Sequence, residues 1–387
     1  MPFEIKFENV PVGVCTEPAR GGETVKIRAI EFVSEEDGEN LIDRLEGFGS
    51  QILGMLPKNG PAPRFVPSQV EHLLAIVRRD GTATVYVNEI QTVGMARVKR
   101  EFVAGDAVFL DDIAGVQRLS FKDIAVPKDA GVLFIFSVGW RRAMFYDFLP
   151  LNPKDSKDRE YDLEAQLGQF YTYLMFQKRF KITEAVWSAL FSGQWFPFVT
   201  LKDATIRNLV SHAENYWPLD DLVDAIAQEV EASLPRLLGR WKGISAFAEH
   251  LPFLEKALER YREKDYISTT AILYPRIEGL MRSHQKQSDP TAQATQKGLS
   301  ASATKTASTD PADFTPLLPD KFRQYLEGVY FAAFNPNDPK IKVSRNSIGH
   351  GVASADECSR KSATISVLLI DQLCYCFTGQ SVQLASC

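Results

Sequence analysis

Two stretches near the N-terminus, FEIKFENV (3–10) and TVKIRAIEFV (24–33), alternate apolar and polar positions with the two-residue period of half-buried strands. HLLAIVRRDGTATVYVN (72–88) sets Asp80-Gly81 between two strand-like runs, a strong hairpin signal. GVLFIFSVGWRRAMFYDF (131–148) predicts a second hairpin that turns near Gly139, and ENLIDRLEGFGSQILGML (39–56) carries one apolar face at helical spacing. The polar LNPKDSKDRE (151–160) marks a boundary. Beyond it the period becomes helical, in YDLEAQLGQFYTYLMFQKRF (161–180), PLDDLVDAIAQEVEASLPRLL (218–238) and HLPFLEKALERYREKDYISTTAILYPRIEGLMRSH (250–284). Pro275 is expected to kink the last of these, because its ring removes a backbone donor and crowds the preceding turn.

The pattern then lapses. Residues 285–312, QKQSDPTAQATQKGLSASATKTASTDPA, hold no aromatic residue and a single leucine, which predicts a disordered, flexible insertion. LPDKFRQYLEGVYFAAF (318–334) resumes as an amphipathic helix. A last helix is expected from the capping-box pair Ser354 and Glu357, with Ile365, Leu368, Leu369, Gln372, Leu373 and Cys376 on one face and Gly379 at its stop. The fold class this implies is α+β: a mixed α/β domain with hairpins over 1–150, a helical connecting region over 151–249, and a helical bundle over 250–387.

Composition changes this picture little. A net charge of -5 over 387 residues argues against a surface that coats nucleic acid throughout, so any RNA contact needs a local basic patch. One exists: Lys340, Lys342 and Arg345 fall in a run from Pro339 to Ala353 without an acidic residue. The five cysteines do not look like a disulfide framework, and Cys374 and Cys376, which lack the companions of a metal site, read as small apolar residues on a buried helix. No metal or cofactor is expected. No apolar run is long enough to span a membrane, and the first residues lack the pattern of a secretory leader, so a cytoplasmic setting is expected.

The chemistry-bearing stretch is VSRNSIGHGVASADE (343–357), with Arg345, Asn346 and His350 between two predicted helices. Arg-x4-His is a weak pattern alone, and RNLVSH repeats it with Arg207, Asn208 and His212. Five positions along a regular helix rotate a side chain by about 140°, so arginine and histidine would point apart. Gly349 and Gly351 flank His350 and predict a departure from the helix there, whereas RNLVSH has no glycine and reads as plain helix. Arg345 and His350 are therefore the expected pair, with Asn346 beside them and Lys340 and Lys342 as phosphate contacts.

RNSIGHG, set between one helix and a long final helix, resembles the signature of the HEPN superfamily (higher eukaryotes and prokaryotes nucleotide-binding) over roughly 250–380. DYISTTAILYPRIEGLMRSH resembles that family's earlier, acidic helix, with Glu278 as the matching carboxylate. The resemblance implies a compact helical bundle, a homodimer with facing motifs, and metal-independent RNA cleavage that leaves a 2′,3′-cyclic phosphate. It also implies a toxin or phage-defence setting, with room for an antitoxin-like partner. Histidine suits the proton steps and arginine the phosphate charge. Two other classes stay open: a non-catalytic nucleotide- or RNA-binding signalling module, and a scaffold in which RNSIGHG merely joins helices.

Overall fold

In a computed structural model the chain is described over residues 2–15, 17–56, 69–308, 314–335, 337 and 342–378. It divides into two compact units, Met1–Met95 with Val116–Met175, and Ala96–Gly115 with Phe176–Cys387. The fold class is α+β, with the strands and short helices toward the N-terminus and a helical region after them.

The first unit holds β1 (Phe3–Lys6), a short pair β2 (Val14–Cys15) and β3 (Ile27–Arg28), β4 (Ile30–Ser34), and α1 (Glu39–Arg44) joined through a π turn to α2 (Ser50–Met55). After these come β5 (Leu73–Val77) and β6 (Thr82–Val87), then β7 (Thr92–Val98) and β8 (Ile113–Phe121), then β9 (Gly131–Val138) and β10 (Arg141–Asp147). Of β7 and β8, residues 96–98 and 113–115 belong to the second unit. Six strands form one sheet in the order β1-β6-β5-β9-β10-β4, antiparallel throughout. Both expected hairpins are present: Gly81 turns β5 into β6 at φ +83°, and Gly139 turns β9 into β10 at φ +62°.

The central strands are buried on both faces, which is why LLAIV and GVLFIF read as continuous apolar runs rather than alternations. Leu73, Ala75, Leu133, Ile135, Met144 and Tyr146 share one core cluster with Leu41, Leu45 and Ile52. On the other face Phe145 meets Phe170 of α3 (Leu163–Phe180), with ring centroids 5.2 Å apart. A buried ion pair closes this unit, Arg159 Nε donating to Asp147 Oδ2 at 2.8 Å.

The second unit is built from α4 (Glu184–Ser192), α5 (Asp203–Glu214), α6 (Val223–Lys242), α7 (Leu251–Arg262) and α8 (Tyr266–Ser288). It continues with α9 (Gln296–Ser308), α10 (Pro319–Tyr325), which runs on through a π turn to Tyr330, α11 (Arg345–Gly349) and α12 (Arg360–Thr378). α8 is a single 23-residue helix that passes through Pro275. α12 lies at the centre, packed against α6, α8 and α9, and every residue from Ser362 to Cys376 is buried. Its buried carboxylate and amide are satisfied, whereas Tyr375 Oη has no hydrogen-bond partner among the described residues. Asp371 accepts from Arg240, from Trp241 Nε1 at 2.9 Å and from Thr200, while Gln372 bonds Val199 N and Leu317 O. Cys374 and Cys376 lie in this core, and burial pushes the Cys376 thiol up to about 12.

Two expectations fail here. Of the segment 285–312 expected to be disordered, 285–288 end α8 and 296–308 form α9, while 309–312 lie outside the described residues. Within α9, Leu299, Ser300, Ala303, Thr304 and Ala307 are buried at three- and four-residue steps. Its small side chains leave α9 little apolar area of its own, but they let its backbone approach larger helices closely and cover theirs. Its hydroxyls turn back on the helix, Thr304 Oγ1 donating to Ser300 O at 3.1 Å. The final helix begins at Arg360 rather than beside Ser354. Ser354 Oγ does accept from Glu357 N at 3.4 Å, but that bond closes a turn ahead of the helix. Gly379 lies outside the described residues. The segment expected as a connecting region belongs, from residue 176 on, to the same unit as 250–387. No helix among the described residues is long and apolar enough to cross a membrane.

Candidate functional site

RNSIGHG folds as a short helix capped at both ends. Ser344 is the N-cap, its Oγ accepting from Ser347 N at 3.1 Å, while Ser347 Oγ accepts from Ser344 N at 2.8 Å. At the other end Gly351 takes φ +69°, its N–H donates to Ile348 O at 3.1 Å, and Val352 N donates to Ser347 O at 3.0 Å. That pair of bonds is the Schellman arrangement, and it makes His350 the C-cap.

The expected break between Arg345 and His350 is therefore absent. The backbone stays helical through Gly349 and leaves the helix only at Gly351. On a helical path five residues separate two side chains by about 140° around the axis and ~7.5 Å along it. Arg345 and His350 do not face each other within one chain. Gly349 serves a different end: a Cβ there would lie 3.3 Å from Arg345 Nη1, so the glycine gives the guanidinium room to lie across its own helix.

The guanidinium points toward α8. Arg345 Nε forms an ion pair, without hydrogen-bond alignment, with Oε2 of the buried Glu278, and Arg282 Nε donates to Oε1 of the same carboxylate at 2.9 Å. Two arginines thus share one acid, which leaves a local excess of positive charge in a chain of net charge -5. The Arg345 side chain keeps 32% of its surface accessible, so the residue is not sealed from solvent.

Asn346 is committed elsewhere. Its Nδ2 donates to Phe331 O at 2.9 Å and to Ala332 O at 3.3 Å, and its Oδ1 accepts from Gln296 of α9 at 3.0 Å. It ties α11 to the end of the α10 segment and does not address His350. His350 is exposed, with its ring centroid 5.6 Å from that of Phe334, a neighbour the sequence did not single out. Lys342 is exposed and donates to Ser192 O at 2.7 Å, and Lys340 lies outside the described residues.

The second motif is plain helix, as expected. Arg207 pairs with Asp203 one turn back at 3.2 Å, and His212 Nδ1 lies 3.1 Å from Pro218 O with its ring edge-on to Trp217. Among the described residues there is no group of three or more His, Cys, Asp or Glu side chains placed to hold a metal ion. Compared with known proteins, the chain matches no family model, no curated protein and no solved structure.

Proposed function

We propose that the second unit is a metal-independent endoribonuclease of the HEPN-like kind, assembled as a homodimer. One observation carries this reading: Arg345 is anchored by a buried carboxylate of an earlier helix, while His350 stands exposed at the far end of the same short helix. Arg345 binds the phosphate and stabilises the charge that builds as the 2′-hydroxyl attacks phosphorus. His350 exchanges the protons of the attacking 2′-oxygen and the leaving 5′-oxygen. Because α11 sets the two side chains on different sides of its axis, one chain's arginine needs a second chain's histidine. A two-fold pair supplies both proton donor and acceptor. Lys342 adds a phosphate contact, and Asn346 is a positioning residue for α11. A defence or toxin role, with a partner that restrains the enzyme, follows from the family resemblance and its chemistry.

The test is cleavage of single-stranded RNA with EDTA present. The expected products carry 2′,3′-cyclic phosphate, and light scattering at micromolar concentration shows a dimer. His350→Ala loses at least about a hundredfold in rate, the usual order for a general acid–base group. It keeps its melting temperature, because an exposed side chain contributes little to stability. Unchanged cutting by that variant ends the proposal. The commitment of Arg345 and Asn346 to internal partners favours a second reading, a non-catalytic RNA- or nucleotide-binding module, which tight RNA binding without turnover would support.

A further inference from the structure

A cleft of about 430 Å³ lies beside the candidate site, walled by Phe191, Val329 and Phe334 and edged by Lys342. Its volume falls within the range of small-ligand pockets. It is continuous with the site, because Phe334 is the ring that meets His350. Its charge sets it apart. Lys342 is the one charged side chain among the described residues that line it. The neighbouring cleft under Tyr216 and Trp217 shares Lys342 and adds Lys361, but sets Asp220, Asp356 and Glu357 against them. In an acidic chain, the carboxylate-free cleft is the one that admits a ligand bearing phosphate.

Gln194 lines this cleft in a strained backbone state, at φ +63°. Three bonds hold it there: its backbone N–H donates to Phe191 O at 2.9 Å, Nε2 donates to Val343 O at 2.6 Å, and its backbone oxygen accepts from Tyr325 Oη at 2.7 Å. The side-chain amide still has one N–H and its carbonyl oxygen, the donor and acceptor with which glutamine reads a base edge.

Resting on the RNA-cleaving reading, we propose that this cleft takes the base of one nucleotide next to the scissile phosphate. The base stacks on Phe334, Gln194 reads its edge, and Lys342 meets its phosphate. Gly328 lines the cleft, and a Cβ added there meets no atom within 4 Å, so Gly328→Leu has room for its first side-chain carbon and is the variant chosen to narrow the cleft.

The experiment is calorimetry on full-length His350→Ala protein with each of the four nucleoside 3′-monophosphates and with inorganic phosphate. The expected result is a preference of at least tenfold for one base, lost in Gly328→Leu. Phe334→Ala, which alters a partly exposed ring, weakens binding by about tenfold, the size of one base–aromatic stack. It keeps the proposal open to refutation if the leucine variant fails to fold. Equal affinity for all four nucleotides and for phosphate overturns the proposal, as does base-selective binding that neither variant weakens. The two readings separate cleanly. Selective binding in a wild-type chain that cuts no RNA supports the cleft and sinks the nuclease, whereas cutting that ignores base identity and Gly328→Leu does the reverse.

Discussion

Arg179 shows how one residue can work against the fold that holds it. Its guanidinium is fully buried, and among the described residues its three nitrogens have no hydrogen-bond partner. Burial lowers it to about 10, and Asp203 and Asp111 offset this only through space. Lys99 suffers with it: burial first, and the charge of Arg179 second, bring its ammonium down to about 7 from an ordinary 10.5. Between those two values the unfolded chain binds the proton and the folded chain does not, so Lys99 makes stability rise with pH from about 7 to 10.5. Lys99→Met should therefore raise the melting temperature most at pH 7 and below, with the gain fading toward pH 10.5. Arg179→Met should stabilise by roughly 1 kcal/mol or more, since a well-packed apolar side chain replaces a buried unpaired charge. Melting curves from pH 6 to 10 check both, and a fall in melting temperature for either variant at pH 7 refutes the account. The same scale governs the site, where sequence named Arg345, His350 and Glu278 but also set Asn346 beside them as a site residue. An amide that satisfies two backbone carbonyls looks identical, in sequence, to one that faces a substrate.

At the level of elements, α9 and α12 depart furthest from what their sequences suggest. α9 carries almost no large apolar residue, yet it covers α8 and α12 through a stripe of alanine, serine and threonine. Close approach is the condition for that packing, so added bulk on the stripe is expected to do harm. Ala303→Leu should cost about 1–3 kcal/mol by overpacking. Lys305→Leu, on the exposed side of the same helix, should change stability by less than about 0.5 kcal/mol. Denaturant titration compares the two, and equal effects refute the packing. α12 was legible as a helix from its period, but its apolar face was not the whole of what is buried. Asp371, which is not on that face, is covered too, because Arg240, Trp241 and Thr200 reach in from elsewhere to bond it, as Val199 bonds Gln372 on the face itself.

Those partners decide what can fold alone. Each lies before residue 250, so a fragment over 250–387 would bury the Asp371 carboxylate without its arginine, a loss of about 3–5 kcal/mol from that group alone. Such a fragment should lack cooperative unfolding by circular dichroism and be cut rapidly by protease. A sharp thermal transition would show that the bundle is autonomous. The second unit also needs residues 96–115, since Arg240 Nη1 donates to Lys99 O at 2.9 Å and Lys99 Nζ to Leu201 O at 3.2 Å. Composition gave no hint that the chain leaves the first unit for twenty residues and returns. Nothing in a local window records which distant segment a strand will join.

The sequence by itself determined the local pieces: two hairpins at Asp80-Gly81 and Gly139, the helical period after residue 160, and RNSIGHG as a short segment that carries Arg345, Asn346 and His350 between two helices. These follow from turn residues, period and side-chain type, all properties of neighbours along the chain. Tertiary structure alone decided that a leucine-poor segment is a core helix, that Arg345 lies on Glu278, and that His350 faces outward. It also decided that a carboxylate-free cleft opens beside Phe334. Each of these depends on which residues far apart in sequence share one buried volume, where charge, room and hydrogen-bond partners are settled together.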